Sequence, residues 1–122
     1  QLELATSVRA CAEELKSKTR SMNISIGNVG VMASPKGRTV DGFETQFGTK
    51  HIAHFLLFYL VKPLLPSSST SVFHSRAVYL SSSAHRTSSV QFDNLGLEGE
   101  YEPWKPYRQT KTTNLWTASQ IE

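Results

Sequence analysis

The sequence predicts an α/β fold: part of a doubly wound parallel sheet with helices on both faces. Three observations predict it. Two short β-branched segments, residues 22–26 and 76–80, alternate with three long helical patterns. Each strand segment runs into a glycine- or serine-bearing turn. The segment between the strands is long enough for a crossover helix, and strands joined that way lie parallel. Two strands make a very small sheet, so the chain reads as the middle of a larger α/β fold.

The elements follow in order. Leu4, Val8, Cys11 and Leu15 recur at helical spacing, with Arg9, Glu13, Glu14 and Lys16 opposite them, which predicts an amphipathic helix over roughly 6–19. Residues 22–26 form a strand that ends at Gly27, Asn28, Val29 and Gly30. Pro35 and Gly37 mark a loop over 33–39. Asp41 opens the next helix, with Glu44 three residues later completing a capping box. Phe43, Phe47, His54 and Phe58 trace one face of that helix, and Ile52, Leu56, Leu57 and Leu60 another. A helix apolar on two faces is expected to lie between a sheet and a second body, such as a partner subunit. Pro63 ends it, and 66–71 read as a flexible connector. Residues 76–80 form the second strand, entering Ser81, Ser82 and Ser83. The polar stretch 86–103 is too long for an ordinary connection and is expected to be functional. Pro106 suits the first turn of a last helix running to about Gln120.

Composition bounds the rest. With 122 residues, 39% hydrophobic and 19% charged, the chain makes one domain. The single Cys11 excludes an internal disulfide framework and a multi-cysteine zinc site, and points to a reducing compartment. A net charge of +3 favours solubility without implying a nucleic-acid partner. The longest apolar run, 52–61, is interrupted by His54 and is about half of the ~20 residues a membrane span needs. Gln1, Leu2, Glu3 and Leu4 lack the basic start of a secretory signal, so a cytoplasmic location is expected. The chain does not begin with Met, which suggests an excerpt or a processed product.

Tyr107 and Lys111 are four apart on the last helix and share a face. An ammonium beside a phenol stabilises the phenolate and makes tyrosine a usable acid or base. Ser82, at the carboxyl end of a strand, is placed to hydrogen-bond a substrate oxygen, since such sheets bind their ligands there. The spacing alone is equally that of a tyrosine and a lysine on a solvated face. His51 and His54 have metal-like spacing but no third ligand, so they read as packed or interfacial, with no metal. His85 lines the substrate mouth or a plain surface. Lys16, Lys18 and Arg20 are a solvated helix end, and the sequon at Asn23 falls in a predicted strand, the wrong place for a glycan.

The combination is more specific. The chain resembles the short-chain dehydrogenase/reductase family, in its retinol-dehydrogenase-like and fungal oxidoreductase branch. The resemblance runs through 23–32, 41–47, 51–57, 80–85 and 107–112, in family order and with the long gap from Ser82 to Tyr107. It implies a partial Rossmann-type domain over 1–122 and an NAD- or NADP-dependent oxidoreductase acting on an alcohol or ketone. It further implies that Tyr107 moves the substrate proton and that Lys111 holds the nicotinamide ribose. Ser82 orients the carbonyl, Asn28, Val29 and Gly30 line the cofactor cleft, and Glu3 stands where an aspartate contacts the adenine. Dimerisation through the helix around Phe55 is the family's habit.

The chain also departs from the family. Gly27 replaces an asparagine, Val29 a small residue, and Lys50 the asparagine of a proton relay. Arg108 and Thr110 are milder changes. The glycine-rich turn that would hold the pyrophosphate is not among these residues, nor is the N-terminal β-α-β unit that carries it. About half of a domain of roughly 200–250 residues is therefore expected here, and the isolated chain is expected to be inactive. The alternative reading is a truncated or degenerate member without catalysis, at most a partner-binding or structural remnant. Preference between NAD and NADP, and the substrate itself, are not encoded in these residues.

Overall fold

A computed structural model describes residues 3–121. The first helix, α1, spans Leu4–Lys18. It starts earlier than its apolar spacing suggests because Asp41, far along the chain, accepts a hydrogen bond from the Leu4 N–H at 2.8 Å. A carboxylate there satisfies one of the free amides of the first turn and opposes the positive end of the helix dipole. Leu4 and Ala12 are its buried residues, whereas Cys11 is exposed. The buried stripe is thus displaced from the expected one, and the small Ala12 lets α1 lie close against the third helix.

Strand β1 (Ile24–Gly27) pairs in parallel with β2 (Arg76–Tyr79), with Ile24 opposite Arg76 and Gly27 opposite Tyr79. Leu80 lies just past the ladder. Its N–H still donates to the Gly27 carbonyl at 3.3 Å, but its own carbonyl is left for side chains. The parallel order matches expectation. The helices, however, gather on one face of the sheet. His54 lies against Gly27, Phe58 meets Tyr79 edge-on at 6.3 Å, and Ala118 of the last helix lines a cleft with Ala77. On the other face Ile24 and Ile26 are 46% and 62% exposed, and the described residues supply no cover for them.

The crossover between the strands is one helical path in three parts. These are α2 (Thr45–Phe47), a π-helical turn (Gly48–Ile52) and α3 (Ala53–Val61). Asp41 does not cap it, since that carboxylate serves α1. Glu44 is the cap: its buried carboxylate accepts from the N–H groups of Gln46 and Phe47 at 2.9 and 2.8 Å. The two expected apolar faces are only partly covered, leaving Phe55 and Tyr59 exposed. The stretch 66–71, expected to be flexible, is tied down. Its turn Pro66–Ser68 presents the Ser68 hydroxyl to the Met22 carbonyl at 2.6 Å and the Ser67 hydroxyl to the Arg20 carbonyl at 3.0 Å.

The long stretch after β2 folds through short 3₁₀ turns at Ser83–Thr87 and Phe92–Asn94 and buries Leu97 at a φ of 52°. Three side chains anchor it. Tyr101 donates to the Ser34 carbonyl at 2.8 Å, Gln109 donates to the Leu95 carbonyl at 3.2 Å, and Glu98 pairs with Lys36 at 2.8 Å and with Arg38. Helix α4 (Trp104–Gln120) follows, ending where the sequence predicts, with Pro106 buried in its first turn.

Candidate functional site

The carboxyl ends of both strands and the middle of α4 converge on the Leu80 carbonyl. The Lys111 ammonium donates to it at 2.9 Å and the Asn114 amide at 3.2 Å. One peptide oxygen just beyond the parallel ladder therefore fixes the height of α4 over the sheet. Ser81 adds a third tie, donating to the Lys111 carbonyl at 2.7 Å. These bonds hold the Lys111 ammonium 5.5 Å from the centroid of the Tyr107 ring. The predicted tyrosine and lysine are brought together, rather than spread on a solvated face.

Ser82 lies three residues past the end of β2. Its hydroxyl oxygen accepts from the Ala84 N–H at 3.2 Å, capping a 3₁₀ turn, which leaves the hydroxyl proton free to donate elsewhere. The turn is locked from behind, because His85 donates from Nδ1 to the Ser82 carbonyl at 2.6 Å and Thr112 of α4 donates to the Ser88 carbonyl at 2.9 Å. His85 therefore has a positioning role inside the turn.

Asn28, Val29 and Gly30 follow β1 as an exposed loop, with Val29 74% exposed. Gly30 is contacted by an unexpected neighbour. A Cβ built on it would come within 2.3 Å of Lys50 Cγ and 2.6 Å of Lys50 Cε. The lysine stem thus lies directly across the glycine, which only a residue without a side chain allows. Lys50 is only 7% exposed, and its ammonium reaches 4.2 Å from the Tyr107 ring centroid, closer than that of Lys111. Burial and the Lys111 charge push the Lys50 amine down to about 8.

Lys50 sits in the π turn, where one extra residue per turn re-aims side chains, a feature common at functional sites. The two histidines of the same path are structural. His51 donates to the Asn114 side-chain oxygen at 3.2 Å, and His54 to the Lys50 carbonyl at 2.9 Å. Burial lowers the pKa of both, favouring the neutral ring. Among the described residues no cluster of His, Cys, Asp or Glu could hold a metal.

Glu3 stands exposed ahead of α1. Among the described residues only its backbone carbonyl is engaged, accepting from Ser7, and it makes no hydrogen bond to the Tyr107 cluster. Two residues near the site were not singled out from the sequence. Trp104 lies edge-on to Tyr107 at 5.7 Å, and Asn114 bridges the Leu80 carbonyl to His51. Both fall at helical offsets from the Tyr107–Lys111 face (three before Tyr107, three after Lys111), which is the signal that would have found them.

No protein-family model matches the chain. Curated relatives do. It is 48% identical over 116 residues to "Short-chain dehydrogenase/reductase prx1" of Penicillium roqueforti, covering 95% of this chain and 34% of that protein. It is 39% identical over 109 residues to "Retinol dehydrogenase 12" of Mus musculus, covering 89% of this chain and 33% of that protein. A solved structure of an uncharacterized protein from Mycobacterium Paratuberculosis superposes with a TM-score of 0.80 at 35% identity, over 98% of this chain and 41% of that one. The chain spans about a third of the length of the curated relatives it matches. No helix among the described residues is long and apolar enough to cross a membrane. With this fold, these relatives and the Tyr107–Lys111 pair at the end of a parallel sheet, the chain belongs to the short-chain dehydrogenase/reductase family.

Proposed function

We propose that this chain carries the proton-handling part of an NAD(P)-dependent oxidoreductase that interconverts an alcohol and a ketone. The observation that carries the reading is the anchoring of Lys111 to the Leu80 carbonyl, with its ammonium 5.5 Å from the Tyr107 ring centroid, beside the Ser82 turn. In the reducing direction Tyr107 donates its phenolic proton to the carbonyl oxygen while Ser82 donates a hydrogen bond to the same oxygen. Lys111 keeps two N–H donors beyond the one given to Leu80, enough to hold a ribose hydroxyl and to favour the phenolate that proton transfer leaves. A bound dihydronicotinamide would supply the hydride.

The residues fit the nicotinamide end of that cofactor. In this reading the exposed loop of Asn28, Val29 and Gly30 at the carboxyl end of β1 would meet the nicotinamide, and the exposed Glu3 would meet the adenine. Lys50 over the Tyr107 ring, a second ammonium beside the group that would move the proton, favours the second reading, a family member without catalysis. A homodimer through α3 belongs to the first reading and is supported by the exposure of Phe55 and Tyr59.

Thermal unfolding with and without millimolar NAD(H) or NADP(H) separates the two, because a ligand of the folded state raises the midpoint as it saturates. A saturable rise with one cofactor, followed by loss of turnover in Tyr107→Phe, supports the oxidoreductase. A clear unfolding transition that neither cofactor moves supports the non-catalytic reading.

A further inference from the structure

Lys50 is a buried cation with no anion beside it among the described residues. It is more than nine-tenths buried and, among those residues, forms no salt bridge and donates no hydrogen bond. Its nitrogen is nevertheless absent from the sealed, unpartnered polar atoms, so the head of the side chain keeps an opening to solvent. The stem is fixed by its passage across Gly30, and the head is fixed by the Tyr107 ring. Lys111 brings a second ammonium to the same ring, and its only protein partner is a neutral carbonyl. His54, also beside Lys50, has its pKa lowered chiefly by burial and donates to the Lys50 carbonyl. Two ammonium groups thus meet at one aromatic ring, and among the described residues no carboxylate is paired with either.

A cation taken out of water is stable only when paired and hydrogen-bonded. The face of an aromatic ring supplies part of that pairing. It does not satisfy the three N–H donors. A ligand oxyanion would satisfy them, and its negative charge would also relieve the repulsion between the two lysines.

We propose that Lys50 and Lys111, seated on the Tyr107 ring, form an oxyanion-binding subsite that takes a carboxylate of the substrate beside its reacting carbonyl. The substrate class is then a hydroxy or oxo acid. This choice of substrate rests on the oxidoreductase reading, whereas the oxyanion subsite rests on the geometry alone. A phosphate of the dinucleotide offers the same chemistry, so the test has an arm for each source.

The 122-residue chain, labelled with 13C at tyrosine, is titrated with acetate, with its neutral isostere acetamide, and with inorganic phosphate, and the Tyr107 ring resonances are followed. Acetate should move them saturably and acetamide should not. Lys50→Met should weaken acetate binding at least tenfold. Lys50→Arg, which keeps the charge, should stay within a few-fold of the parent and guards against a folding failure in Lys50→Met. Phosphate binding that NAD(H) competes away, with acetate tenfold weaker, would uphold the subsite and assign it to the dinucleotide. Acetate and phosphate that leave the resonances unmoved, or act equally on Lys50→Met, would overturn it. Cofactor-induced thermal stabilisation without acetate or phosphate binding sinks this inference alone. Acetate binding without cofactor stabilisation leaves the subsite standing and removes the oxidoreductase reading.

Discussion

The Lys50 ammonium lies 4.2 Å from the centre of the Tyr107 ring, and the Lys111 ammonium lies 5.5 Å from the same point. The two lysines come from different helical segments, the π turn and α4, and neither is neutralised by a carboxylate among the described residues. Their repulsion, added to the burial of Lys50, gives the site a pH dependence of known sign.

The Lys50 amine, ordinarily near 10.5, is pushed down to about 8. Between these values the unfolded chain binds more protons than the folded one, so stability rises with pH across that window. Below about 8 the amine is protonated in both states and the penalty of holding the charge is fully present. The groups facing it, Lys111 and Tyr107 from α4 and His54 from α3, all remain in Lys50→Met. Urea midpoints measured from pH 7 to 9.5 should therefore climb in the parent more steeply than in Lys50→Met, and the variant should be the more stable at pH 7. Parallel pH profiles would contradict this assignment.

Gly30 tests the same contact from the other side. Its Cβ would overlap the Lys50 stem at 2.3 Å, near the root of the side chain where little flexibility remains. Overpacking of this kind costs about 1–3 kcal/mol. Gly30→Ala should be destabilised by that amount in chemical denaturation. The double variant Gly30→Ala with Lys50→Ala should recover most of the loss, because the clashing atoms are gone. Additive losses in the double variant would show that the glycine is needed for another reason.

Glu44 is a helix cap that the sequence hides. A capping carboxylate was expected at Asp41, three residues earlier, because Asp41 and Glu44 have the spacing of a capping box. In the fold Asp41 reaches across to the Leu4 N–H, and Glu44 itself accepts from Gln46 and Phe47. Glu44→Ala should cost about 1–2 kcal/mol, at the upper end for a cap because the site is buried. Asp41→Ala should loosen the start of α1 instead, read as faster amide exchange at Leu4 with little change around Phe47.

The order of elements was legible from local signals: apolar helical spacing in α1, Pro106 in the first turn of α4, and short β-branched runs in β1 and β2. Tyr107 and Lys111 were legible for the same reason, one helical turn apart on one face. Lys50 was visible as a departure from a family pattern. Its effect was not visible, because the π turn that aims it at Tyr107 and the glycine that lets it pass come from distant stretches of chain. The open face of β1 was missed for a related reason. Alternation such as Ile24, Ser25, Ile26, Gly27 identifies two faces without saying which elements cover each.

Tyr79 gives a last test, away from the proposed chemistry. Its ring packs edge-on to Phe58 at 6.3 Å, but its hydroxyl is buried with no hydrogen-bond partner, and burial pushes the phenol up to about 12. A buried unpaired hydroxyl costs about 1–3 kcal/mol in desolvation, while the ring supplies the packing. Removing the oxygen keeps the ring and relieves that cost. Tyr79→Phe should be neutral or up to about 1 kcal/mol more stable than the parent in urea denaturation. Any change in cofactor or acetate binding should be below twofold, since the hydroxyl makes no hydrogen bond to any residue of the Tyr107 cluster. A loss of 2 kcal/mol or more would mean that the hydroxyl has a partner in solution, such as an ordered water held between β2 and α3.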